Sequence, residues 1–143
     1  VKRMGDGAMI VFTDPSIAVR AVLAALDAVQ SVEVDGYTPR MRAGIHTGHP
    51  QRIGSDWLGV DVNIAARVME RATRGGLVIS HTTVEAAGGV DALAALGVSV
   101  KRVRKQLFAT KPSGVPEDLV MYWVKPLTKS AAADTAADRP EGA

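Results

Sequence analysis

The sequence predicts an α/β sandwich, in which a mostly antiparallel sheet carries helices on its faces. Three observations carry that prediction. Short β-patterned runs alternate with longer runs of helical period along the chain, as in layered α/β domains. Glycine-rich turn signals, Gly5-Asp6-Gly7 and Gly75-Gly76 among them, separate these runs,. The length of 143 residues, with 47% hydrophobic and 22% charged residues, suits one compact domain and is small for two,.

Taken in order, Val1 to Phe12 reads as a hairpin, because two short runs flank an Asp-Gly tight-turn signal,. Asp14-Pro15-Ser16 opens a helix with a cap and a first-turn proline,. Val19, Val22, Leu23, Leu26 and Val29 give that helix a wide apolar face to lay on a sheet,. Asp35-Gly36 is a turn. Met41, Ala43 and Ile45 then alternate with Arg42, Gly44 and His46, as a strand does,. His49 to Ser55 reads as a short polar connection.

The stretch Ser55 to Ala72 reads as a loop that turns into a helix, and Gly75-Gly76 ends its run,. Leu77 to Ser80 reads as a short buried strand, and Thr82 to Leu96 as one or two short helices broken at Gly88-Gly89,. Val98, Val100 and Val103 share a segment with Lys101, Arg102, Arg104 and Lys105, which reads as a solvated sheet edge,. Phe108–Thr110 and Leu119–Val124 read as the arms of a final strand pair. The domain is expected to span 1–126. Residues 127–143, rich in Ala, Asp and Pro without periodicity, are expected to form a disordered tail,.

Bulk composition removes several function classes. A net charge of +2 is too small to argue for nucleic acid, and combined Phe, Trp and Tyr at 4% leave few stacking platforms for it,. The absence of cysteine excludes disulfides and thiolate metal sites, and fits a reducing, cytoplasmic setting,. No apolar run approaches the ~20 residues that span a bilayer. The chain opens on Val1 inside an apparent strand, so it reads as a piece of a longer protein whose membrane or sensor segments lie elsewhere.

The chemistry concentrates in Ser55 to Ala72. Asp61 reads as an N-cap for a helix beginning near Val62,. Val62, Ala65, Ala66 and Met69 recur at helical spacing and are expected to face the core,. Asn63 and Arg67 are one helical turn apart and share the other face. An amide stacked on a planar guanidinium near a helix N-terminus suits a sugar hydroxyl and a phosphate. By spacing alone, an ordinary solvated helix face is the better account of the pair. His46 by itself reads as a structural histidine. With only His49 nearby and no third His or Cys at ligand spacing, zinc is rejected,.

The segment from Asp56 to Arg67, DWLGVDVNIAAR, resembles the D-x-x-G-x-x-V-N-x-A-A-R segment of class III nucleotidyl cyclases. Lys2, Gly5, Asp6 and Met9 resemble that family's K-x-x-G-D-x-x-M hairpin, and Gly44 to Gly48 its G-I-H-T-G strand end. The resemblance runs from Val1 to about Val124. It implies the ferredoxin-like palm fold, without its first strand and the helices that follow it: the C-terminal two-thirds of a catalytic domain. It also implies conversion of ATP to cyclic AMP and pyrophosphate at the interface of a head-to-tail homodimer. By match, Asn63 orients the ribose and Arg67 stabilises charge on the phosphate. Asp56 and Lys2 select adenine. Asp6 is one of two carboxylates that hold a pair of Mg²⁺ or Mn²⁺ ions, and the other is absent. Lys111-Pro-Ser-Gly-Val-Pro-Glu117 resembles the family's K-G-V-P-E turn, where a lysine contacts the terminal phosphates. Here Ser113 occupies the nearest slot and Lys111 lies two residues away.

Two other readings stand beside this one. Guanylyl cyclases usually place Glu and Cys where Lys2 and Asp56 stand, and this chain has no Cys. A non-catalytic nucleotide-binding or dimerisation remnant of a cyclase accounts for the missing metal carboxylate.

Overall fold

The computed structural model describes residues 1–104, 116 and 118–127. Among them, no helix is long and apolar enough to cross a membrane. The expected final strand arm at 108–110, the turn at Lys111 and the tail from 128 lie outside the described residues.

The molecule is an α/β sandwich built on one four-stranded sheet. Its strands are β3 (Arg42–Ile45), β6 (Gly76–Ser80), β8 (Met121–Pro126) and β7 (Val98–Arg102), in that spatial order. β3 and β6 run parallel, and β6–β8 and β8–β7 pair antiparallel. β7, the basic segment, is an edge strand as its charge pattern predicts. Two separate hairpins, β1 (Lys2–Met4) with β2 (Gly7–Met9) and β4 (Gln51–Ile53) with β5 (Asp56–Leu58), complete the strands.

Alternation along β6 assigns its residues to two faces. Leu77 and Ile79 point into a cluster with Val19 and Leu26 of α1 (Pro15–Gln30), Val84 of α3 (His81–Ala86) and Leu93 of α4 (Val90–Ala95). Val78 points the other way, into a second cluster with Ile64, Val68 and Ala72 from α2 (Val60–Glu70) and its C-terminal extension. α2 therefore lies alone, among the described helices, on one face. The Asp14 carboxylate caps α1 by accepting from the N–H groups of Ser16 (2.8 Å) and Ile17 (3.1 Å). Leu127 is tied down by its N–H, which donates to the Gly97 carbonyl.

The structure corrects the sequence reading of the central stretch at three places. His49 to Ser55 is not a plain connection: it contains β4 and the turn into β5, so Asp56 begins a strand. Asp61 does not cap α2. Gly59 holds the cap position, and Asp61 sits in the first turn. The buried stripe of α2 is Ile64, Val68 and Ala72, whereas Ala66 is exposed and Val62, Ala65 and Met69 are half-buried. In this seating the helix packs closely on β3. A Cβ on Gly44 would run into the backbone of Met69, so glycine there lets α2 seat directly on the strand.

Candidate functional site

The site gathers where β3 ends and α2 begins. Parallel pairing sets Ile45 beside Ile79, which brings the next residues, His46 and Ser80, side by side. His46 is nearly buried, its side chain 5% exposed. Its Nε2 lies 2.8 Å from Asp61 Oδ1 and its Nδ1 lies 2.8 Å from the Ser80 hydroxyl. The His49 backbone N–H donates to the other Asp61 oxygen at 2.9 Å. A Cβ on Gly48 would collide with the Asp61 carboxyl group, so the strand-end glycine makes room for that approach. These contacts hold the Asp61 carboxyl below the ordinary aspartate range. The hydrogen bond from His46 is the larger cause and the His49 N–H the next, with partial burial opposing,.

Ser80, His46 and Asp61 share the composition of a hydrolytic triad but not its access. Ser80 is fully buried, and its hydroxyl is also within bonding distance of Thr82 (2.9 Å) and Thr83 (3.1 Å). Thr82 in turn donates to the Thr47 carbonyl at 2.9 Å. A nucleophile must reach its substrate, and this hydroxyl faces only neighbours. His46 is thus a satisfied interior histidine. The polar network was not foreseen from sequence, because it joins residues from β6, α3 and both ends of the loop that carries β4 and β5.

Lys2 and Asp56 meet although 54 positions separate them: Lys2 Nζ donates to Asp56 Oδ2 at 2.5 Å. Asp56 Oδ1 accepts from the Trp57 N–H at 2.8 Å. The Lys2 ammonium first, and the Trp57 N–H second, hold the Asp56 carboxyl below its usual range. Both side chains keep surface open, 50% and 34% exposed, so a planar ligand can reach them. The pair links the first hairpin to the second.

Asn63 is exposed on α2 and Arg67 half-exposed one turn on, so the amide and guanidinium share a solvent-facing side as their spacing requires. Arg67 is not idle. Its Nη1 donates to both carboxylate oxygens of Glu70, at 2.8 and 3.0 Å. Glu70 was missed in the sequence, although an acid three residues beyond an arginine on one helix is a visible signal. Asp6 stands exposed in the turn between β1 and β2. Among the described residues, no group of three or more His, Cys, Asp or Glu side chains is placed to hold a metal ion. Asp6 is thus not joined there by two further such side chains.

The chain is 35% identical over 88 residues to a pH-sensitive adenylate cyclase of Mycobacterium tuberculosis (strain CDC 1551 / Oshkosh). The match covers 62% of this chain and 21% of that relative, so the chain spans about a fifth of the relative's length. No protein-family model matches the chain. The similarity points to a cyclase-related domain.

Proposed function

We propose that the chain is the C-terminal two-thirds of a class III adenylyl cyclase catalytic domain with the palm fold of that family, and that its chemistry is recognition and cyclisation of ATP. The observation that carries this reading is the Lys2–Asp56 contact at 2.5 Å. The family resemblance assigns both residues to adenine, and they lie in strands far apart in sequence. The similarity to a named adenylate cyclase supports the same reading.

In this reading Asp56 accepts from the exocyclic amine of adenine, while Lys2 donates to the ring nitrogen beside it. An ammonium has three donors and a carboxylate has spare lone pairs, so the base joins the existing pair without breaking it. Asn63 orients the ribose. Its 3′-oxygen attacks the α-phosphorus, the bond from that phosphorus to the bridging β-phosphate oxygen breaks, and pyrophosphate leaves while the hydroxyl proton passes to water. Arg67 meets the charge that grows on the α-phosphate, the kind of preorganised stabilisation that acts only in the transition state. The family reaction also uses Mg²⁺ or Mn²⁺. The described residues offer Asp6 alone for them, so no step is assigned to a metal. In a head-to-tail homodimer, Asp6 would serve one site while Lys2, Asp56, Asn63 and Arg67 serve the other. Lys111 is a further phosphate contact in this proposal.

A second reading has its own observation. The lone Asp6 suits a nucleotide-binding module that does not turn substrate over. Titration of this chain with ATP and GTP tests what the two readings share. Guanine offers a carbonyl and an N–H where adenine offers an amine and a bare nitrogen. Each mismatch costs on the order of 1–3 kcal/mol, so ATP should bind roughly 10²-fold more tightly than GTP. Equal affinities, or no binding, would remove the nucleotide reading. Cyclic AMP formation by a preparation that binds ATP would then separate the enzyme from the module.

A further inference from the structure

We propose that Asp61 is a positioning residue, which sets the exposed Asn63 and Arg67 by tying the first turn of α2 to the end of β3. The tie has two strands. One runs from Asp61 Oδ1 to His46 Nε2, and the other from Asp61 Oδ2 to the His49 N–H. Elsewhere α2 is held by apolar contact of Ile64, Val68 and Ala72 with Val78 and its neighbours. Such contact fixes depth but is non-directional. Rotation of the helix about its axis, which decides where Asn63 and Arg67 point, needs directional bonds. Among the described residues, the hydrogen bonds that join α2 side chains to the β3 end and its loop are those of Asp61.

The chemistry of the tie is definite. An ionised carboxylate only accepts, so His46 Nε2 carries a hydrogen. Its Nδ1 faces hydroxyl groups alone, Ser80 at 2.8 Å and Thr82 at 3.4 Å, which donate or accept as needed. The ring is therefore gripped at both nitrogens and itself cannot swing. Gly48 leaves room for the carboxylate and Gly44 for the helix, so the residues on both sides of His46 are shaped to this approach. The importance of Asn63 and Arg67 to nucleotide rests on the reading above; the tie itself does not.

Nuclear magnetic resonance of this chain tests it with two variants. Asp61→Ala removes both acceptors. Amide exchange in α2 from Ile64 to Arg67 should then quicken about tenfold or more, as loss of charge-assisted hydrogen bonds requires, with α1 unchanged. Asp61→Asn can still accept from the His49 N–H through its carbonyl, but then presents an NH₂ group to His46. Protection of α2 should return to near the wild-type level, and the neutral His46 ring should move its hydrogen from Nε2 to Nδ1, read from the ring nitrogen shifts. A residue that merely fills space would give neither the rescue nor the tautomer reversal. Unchanged α2 exchange in Asp61→Ala, or an unreversed ring in Asp61→Asn, overturns the proposal. If Asp61→Ala does not fold, the Asp61→Asn ring nitrogens decide alone. ATP affinity, measured in parallel, should fall with Asp61→Ala and recover with Asp61→Asn. A tie that holds while ATP affinity stays constant would count against the nucleotide reading and leave the tie standing.

Discussion

Arg67 is engaged before any ligand arrives. Its bonds to Glu70 are on the surface, with side chains 40% and 49% exposed, and exposed pairs contribute only about 0–1 kcal/mol. Glu70 is then a weak competitor for a phosphate. Glu70→Gln should tighten ATP binding by up to about fivefold, by the same energy, in calorimetric titration; weaker binding would mean that Glu70 aims Arg67 instead. Asp61 yields a pH prediction. Its carboxyl is held below the ordinary aspartate value of about 3.9,. The stability this adds is fully present above that value and is lost as pH falls through the lowered one. Urea unfolding of the wild type and of Asp61→Asn should therefore differ in the wild type's favour near neutrality and converge in acid. A gap that widens on acidification would contradict the sign.

At the scale of elements, close backbone approach places α2. Gly44→Ala drives a methyl group into the Met69 backbone, which cannot yield as a side chain can. Overpacking of this kind costs about 1–3 kcal/mol, readable as a lower urea midpoint with an unchanged slope. Asp14→Ala, which removes the α1 cap, should cost about 1 kcal/mol and leave the α2 region unaltered. These two elements also show what was legible in the sequence. Asp14, Pro15 and the apolar face of α1 are local signals, as are the Asp6-Gly7 turn and the Gly88-Gly89 break between α3 and α4. Each was readable because a few adjacent residues decide it. The β4–β5 hairpin was not, since Gln51 to Leu58 show no apolar alternation and none of them is buried. The buried stripe of α2 was misread because which side of the helix meets the sheet is decided by β3 and β6, far away in sequence, and Gly44 marks only how closely the helix approaches. Asp61 was read as a cap because a cap and a first-turn acid look alike until His46 is seen beside it. The candidate site was legible in part. That Asn63 and Arg67 share one helix face followed from their spacing, their proposed roles came only from the resemblance, and the Lys2–Asp56 contact needed the fold.

For the whole molecule, the arrangement around Asp6 matters most. One exposed carboxylate on a hairpin turn is a poor substitute for the clustered oxygen ligands that divalent cations take. The chain should bind Mn²⁺ with a dissociation constant on the order of 10⁻³ M or weaker, measured by electron paramagnetic resonance, and should make negligible cyclic AMP. Tight Mn²⁺ binding, or robust product from a preparation free of other cyclases, would show that one carboxylate suffices. The two hairpins meet through Lys2 and Asp56 away from the main sheet, so the base recognition proposed for that pair is separable from the core that carries Asn63 and Arg67.

That separability permits one direct measurement of the central claim, that Lys2 and Asp56 read adenine. Both residues are partly exposed, and exchanging them for Glu and Cys in the double variant Lys2→Glu, Asp56→Cys reverses the donor at one position and removes the carboxylate at the other. The quantity is the ratio of ATP to GTP affinity in the wild type and in this variant. The account predicts a strong wild-type preference for ATP, roughly 10²-fold, that the double variant erodes towards parity. A wild type indifferent to the base, or a variant whose preference is unchanged, would contradict it.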